Sequence, residues 1–177
     1  MINKHTLVLG GGGAKGFAHI GAVMVLEQEK LRPDVICGTS AGSIAGAFYA
    51  LYADRIAELK NIEQTREFKI LAELKMDTVE FEKDSQGFFL KTLSTIKKKF
   101  LLLRILRDNA LVKREDVEPI FKNLFRDMRF EDLPITLIVS AFDLISGKDI
   151  YIKSGLLWKA ILASCSIPGI FPPFEYD

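Results

Sequence analysis

The chain has 177 residues, of which 49% are hydrophobic and 27% charged, and 24 Lys+Arg against 23 Asp+Glu leave a formal net charge of +1. That length fits a single domain, 1–177, with a core that needs neither staples nor metals, and the apolar content excludes a disordered chain. A balance this close to zero supplies no global field for a polyanion, so no nucleic acid partner is expected.

Met1-Ile2-Asn3-Lys4-His5 leads into Leu7-Val8-Leu9, an apolar run too short for a secretory leader, which reads as a buried strand. It ends in Gly10-Gly11-Gly12-Gly13, backbone free to take positive φ. Phe17, Ile20, Val23, Met24 and Leu26 then recur at helical spacing, predicting a helix from Ala14 to about Lys30 that Arg32-Pro33 stops. Asp34-Val35-Ile36-Cys37 is a second buried strand, followed by Gly38-Thr39-Ser40-Ala41-Gly42 and a small-residue helix over 43–51. Two successive strand–glycine turn–helix units predict an α/β fold with a mainly parallel sheet covered by helices.

Residues 54–84 carry 6 basic and 9 acidic side chains among scattered Leu, Ile and Phe, as expected of exposed helices in an insertion or cap. From Lys91 to Arg114 the balance reverses to 8 basic residues against Asp108 alone, interleaved with Phe100-Leu101-Leu102-Leu103. This stretch fits either peripheral contact with an anionic lipid surface or a solvated amphipathic helix packed on the core. Glu115 to Phe125 predicts a helix with Pro119 tolerated near its first turn. Residues 135–142 and 149–153 predict a strand pair turned at Ser146-Gly147, and 156–164 a last helix before Pro168 and Pro172-Pro173. Cys37 and Cys165 lie far apart in apolar segments and read as reduced, buried thiols of an intracellular protein. No run of about 18 apolar residues would span a membrane.

Gly38-Thr39-Ser40-Ala41-Gly42 has G-x-S-x-G spacing between a strand and a helix, the context that forces a serine onto a sharp turn. Gly38 and Gly42 leave room where a β-carbon would meet the neighbouring strand or helix. Ser40 is therefore the candidate nucleophile, exposed at the carboxyl edge of the sheet, with a structural helix-capping serine as the alternative. Gly11-Gly12-Gly13-Ala14-Lys15-Gly16 also satisfies G-x-G-x-x-G. A dinucleotide site would want an acidic residue at the end of the second strand, yet Asp34 lies at its start. A phosphate loop would want Gly-Lys-Ser/Thr, and Phe17 follows Gly16. What remains is a row of N–H donors at Gly11, Gly12 and Gly13, suited to an oxyanion hole. Lys15 either adds charge there or is a solvated surface lysine.

Histidine is the usual base for serine, and the chain has only His5 and His19. His5 precedes the first strand, at the amino edge, and His19 reads as a helix residue satisfied by the backbone. A carboxylate taking the serine proton directly is the remaining option.

The segments Leu7–Gly21, Ile36–Ala47, Asp143–Gly147 and Ala163–Pro173 resemble the patatin-like phospholipase family, whose bacterial members carry a GGGxxG segment, a GxSxG elbow and an Asp-Gly-Gly/Ala motif. The resemblance covers about the first 50 residues and the last 45, and 54–115 show no motif match. It implies a three-layer α/β/α fold with a helical insertion over 54–114, and a serine acyl hydrolase acting on a lipid or acyl ester. It further implies a Ser–Asp dyad, no metal and no cofactor. With the cysteines read as reduced and intracellular, the expected location is cytoplasmic, peripheral at the inner membrane if 91–114 meets lipid. The family pattern puts the dyad aspartate after Asp177, so residues 1–177 alone are expected to be nearly inactive. Asp177 and Asp143 are the alternatives within the chain, and the resemblance gives Asp143 a structural place. A non-catalytic acyl-lipid-binding or regulatory protein on the same scaffold is the second functional expectation.

Overall fold

A computed structural model describes residues 5–52, Lys69, 112–168 and 170–176. The predicted helical insertion at 54–114 and the basic stretch at 91–114 lie almost wholly outside the described residues, as does Asp177. Strand β1 (Thr6–Leu9) leads through a 3-10 turn (Gly13–Phe17) into helix α1 (Ala18–Gln28). Strand β2 (Val35–Thr39) leads into α2 (Ala41–Tyr52). Helix α3 (Arg114–Phe125) precedes the hairpin of β3 (Thr136–Asp143) and β4 (Lys148–Ile152), and α4 (Leu157–Cys165) follows.

The four strands pair in the order β1-β2-β3-β4, with β1, β2 and β3 parallel and β4 antiparallel to β3. This mainly parallel sheet with its helices has the three-layer α/β/α class the sequence predicts. The register sets Leu9 against Gly38 and Thr39 against Ser140, so the carboxyl ends of three strands form one edge of the sheet.

The core joins Leu9, Ile36, Leu137 and Val139 of the sheet with Val23 of α1, Phe121 and Phe125 of α3, and Ile161 of α4. Eight of the twelve residues of α2 are buried. A helix can sink that far only if its side chains are small: a β-carbon at Gly46 would stand 2.9 Å from Ile36 Cγ2. Phe48 and Tyr49 are the large exceptions, and the Tyr49 hydroxyl donates to Glu27 of α1 at 2.5 Å.

Three local predictions are revised. The α-helix begins at Ala18 rather than Ala14, because Gly13 to Phe17 wind as a tighter 3-10 turn. Its C-terminus is made by Lys30, not by Arg32-Pro33: Lys30 adopts φ 57° and Leu31 N–H donates back to the Leu26 carbonyl at 2.8 Å, which satisfies carbonyls a helix end otherwise leaves orphaned. Pro119 sits beyond the first turn of α3, inside the helix.

Candidate active site

The structure places Ser40 between the end of β2 and the start of α2, with φ 51°. A non-glycine residue in this left-handed region costs about 1–2 kcal/mol, so the surroundings must hold it there. Several contacts do. The Ser40 carbonyl accepts the N–H of Ser43 at 2.8 Å and of Ile44 at 3.2 Å, together with the Ser43 hydroxyl at 2.6 Å. The Ser40 N–H donates to Ser164 Oγ at 2.7 Å, and that hydroxyl donates to the Ser140 carbonyl at 2.6 Å. Thr39 Oγ1 and Ser140 Oγ share a further bond of 2.5 Å. Ser40 thus starts the helix with its carbonyl; among the described residues no helix N–H donates to its hydroxyl, as a structural cap would require.

The elbow closes this tightly because of its two glycines. A β-carbon on Gly38 would lie 2.6 Å from Ser43 Cα and 2.7 Å from the Gly42 carbonyl oxygen, and one on Gly42 would run into the Leu9 and Gly10 carbonyls. Separations below 3 Å force something to move, and here every opposing atom is backbone.

The glycine run passes beside the elbow: a β-carbon at Gly11 would stand 3.5 Å from Ser40 Cβ and 3.7 Å from the Thr39 carbonyl oxygen. Gly12 offers its carbonyl to Lys15 N–H at 3.1 Å, and Gly13 opens the 3-10 turn at φ 55°. The run and the serine are therefore brought together by adjacent parallel strands. Lys15 is exposed, and its backbone N–H, rather than its ammonium, makes its hydrogen bond among the described residues.

The exposure expected for Ser40 is corrected. The residue keeps only 7% of its surface accessible, because α4 brings Ser164 and Cys165 against it. Burial pushes the Cys165 thiol up to about 12, and hydrogen bonding with the hydroxyls of Ser40 and Ser43 opposes that rise only in part. The thiol next to the candidate nucleophile is thus protonated at neutral pH.

The two histidines fall where the sequence puts them. His19 Nε2 pairs with the Gly10 carbonyl at 2.9 Å, fixing the base of the glycine run. His5 pairs with Asp34 at the amino end of the sheet, its backbone N–H donating to Oδ2 at 2.8 Å. Asp143 is occupied in the hairpin turn, accepting Ile145 N–H at 2.9 Å and the Ser146 hydroxyl at 2.5 Å, and these bonds hold its carboxyl below the usual range. Among the described residues no carboxylate hydrogen-bonds to Ser40.

Ser140, Ser164 and Cys165 are the site residues that motif reasoning passes over. Ser164 and Cys165 stand in the Ala163–Pro173 segment, but nothing in a linear pattern says that the end of the last helix folds onto the elbow 124 residues earlier.

Comparison with known proteins bears on the family of the chain. The chain is 29% identical over 171 residues to a patatin-like phospholipase domain-containing protein of Caenorhabditis elegans, ZK370.4, covering 97% of this chain and 11% of that protein. It is 29% identical over 167 residues to the lysophospholipase nte1 of Aspergillus fumigatus, covering 94% of this chain and 9% of that protein. It is also 28% identical over 171 residues to the uncharacterized NTE family protein Rv1063c of Mycobacterium tuberculosis, covering 97% of this chain and 39% of that protein. The chain therefore spans between about a tenth and two-fifths of the length of these relatives. The Patatin-like phospholipase profile matches residues 7–177, a span that takes in both the glycine run and the serine elbow, and the chain belongs to the patatin-like phospholipase family.

Proposed function

We propose that the protein is a lipid acyl hydrolase of the phospholipase A-like esterase type, with Ser40 as its nucleophile. The observation that carries this reading is the pairing of a left-handed Ser40 on a strand–helix elbow with the glycine run at its side. Membership of a phospholipase family and the lysophospholipase name of the Aspergillus relative support a lipid ester as substrate.

Ser40 Oγ attacks the ester carbonyl carbon while a carboxylate takes its proton, completing a Ser–Asp dyad. The tetrahedral oxyanion is held by N–H groups of Gly11, Gly12 and Gly13, with Lys15 adding positive charge at the rim. Because the Ser40 N–H is already given to Ser164, oxyanion stabilisation falls to the glycine run, where one lost donor typically slows the reaction roughly 10²–10³-fold. Collapse of the intermediate expels the alcohol with the proton the carboxylate holds. Water then attacks the acyl-serine while the carboxylate takes its proton, and that proton passes to Ser40 Oγ as the fatty acid leaves, restoring the serine hydroxyl and the free carboxylate. With Asp143 committed to its turn, the dyad aspartate belongs outside the described residues. Contact of the basic 91–114 stretch with anionic lipid is part of the same proposal.

A second reading is an acyl-lipid-binding or regulatory protein on this scaffold, favoured by the lack of a carboxylate on Ser40 among the described residues. A fluorophosphonate probe separates the two on the intact natural protein. The hydrolase reading expects covalent labelling at Ser40, and fatty-acid release from a lysophospholipid that falls at least ~10³-fold in Ser40→Ala. A protein that releases no fatty acid and leaves the probe untouched is a binder.

A further inference from the structure

We propose that Ser164 is a positioning residue for the reaction, holding the serine elbow in its reactive conformation through the backbone of Ser40 without touching substrate. The inference rests on the reading of Ser40 as nucleophile and adds a residue from the far end of the chain to that site.

The argument starts from the strained backbone. Ser40, at φ 51°, stands between the last residue of β2 and the first of α2, and its N–H is held by a side chain and not by either regular element. Its partner is a side-chain oxygen, Ser164 Oγ at 2.7 Å. The same oxygen donates its own proton to the Ser140 carbonyl at 2.6 Å. A hydroxyl has one proton, and here that proton is committed to β3; the lone pairs are therefore left facing the Ser40 amide. One oxygen thus ties the elbow, β3 and α4 together, with its donor and acceptor roles fixed. With β2 and α2 held in place, a relaxation of Ser40 to negative φ requires the Thr39–Ser40 peptide to turn, which takes the N–H off this acceptor and leaves it unpaired in a nearly closed site, where an unmade hydrogen bond is costly. The conformation that aims Ser40 Oγ is therefore conditional on a group 124 residues away.

Three substitutions separate positioning from general packing. Ser164→Ala removes the acceptor, Ser164→Thr keeps it, and Ser166→Ala removes a neighbouring hydroxyl that, among the described residues, donates to the Leu162 carbonyl and not to the elbow. Two quantities are read on the intact natural protein: the rate of fluorophosphonate labelling at Ser40, and hydrogen exchange of the Ser40 amide. Ser164→Ala is expected to slow labelling at least ten-fold and to speed exchange at least ten-fold. Ser164→Thr should bring both back to within about three-fold of wild type, and Ser166→Ala should change neither. With a lysophospholipid substrate the loss should appear in kcat and leave KM unchanged. Should Ser164→Ala fail to fold, Ser164→Cys keeps the side-chain size with a poor acceptor and is expected to give the same two changes. Wild-type labelling in Ser164→Ala overturns the inference while the hydrolase reading stands, whatever the exchange rate. A wild-type protein that does not label at Ser40 overturns both.

Discussion

Gly42 and Gly21 are the same residue type in helices of the same sheet, yet their surroundings give opposite expectations. A β-carbon at Gly42 meets the Leu9 carbonyl carbon at 2.5 Å and the Gly10 oxygen at 2.6 Å, whereas one at Gly21 finds nothing within 4 Å. Gly42→Ala must push the end of β1 and the glycine run off the elbow, and overpacking of this kind typically costs about 1–3 kcal/mol. Gly21→Ala fills open space on α1 and restricts the unfolded chain, which typically stabilises by about 0.5–1 kcal/mol. Urea unfolding of the two variants should shift in opposite directions; a Gly42→Ala protein as stable as wild type would mean the elbow is looser than its geometry. The five-residue motif was legible in the sequence because its glycines are obligatory at these contacts. Ser164 was not, because a serine that anchors a backbone amide leaves the same letter as one facing solvent.

Among the elements, α3 carries an internal conflict. Its apolar face, Val117, Ile120, Phe121 and Phe125, is buried, and Glu115 and Asp116 suit the positive end of the helix dipole. Pro119, inside that helix and exposed, lacks the N–H that would reach back to the Glu115 carbonyl. An interior proline typically costs about 3 kcal/mol, while the stiffening it gives the unfolded chain returns only about 0.4–1 kcal/mol. Pro119→Ala should therefore stabilise the protein by about 2 kcal/mol in chemical denaturation, and a destabilised variant would show that the ring is needed where it stands. Sequence periodicity predicted this helix and both strands of the hairpin within a residue or two. The 3-10 turn at Gly13–Phe17 was read as α-helix, since apolar spacing over so short a stretch does not distinguish three residues per turn from 3.6.

At the scale of the molecule, burial makes stability depend on alkaline pH. The Cys165 thiol is raised from 9.0 to about 12 by burial, and Tyr49 is held protonated beyond its ordinary value by burial and by the Glu27 carboxylate at its hydroxyl. A raised pKa means that the native state keeps a proton the unfolded state has lost. The contribution is intact below pH 9 and is lost as pH rises through the folded value, with a slope of up to about 1.4 kcal/mol per pH unit for one group. Unfolding free energy measured at pH 8, 9 and 10 should fall across the last step, and Cys165→Ala should flatten that fall. An unchanged slope in the variant would mean that the thiol ionises freely. No helix among the described residues is long and apolar enough to cross a membrane.

The sequence by itself determined the strand–turn–helix units, the parallel sheet they imply, and the candidates Ser40, Gly38, Gly42 and Gly11–Gly13. All of these are local matters, in which sterics within a few residues leave only small side chains admissible. The tertiary structure decided that Gly11 lies beside Ser40, that α4 covers the serine instead of leaving it open, and that Ser164 and Ser140 complete its support. Those facts depend on strand order and register, which bring residues more than a hundred positions apart into hydrogen-bond range, and no short-range pattern of residue types carries that information.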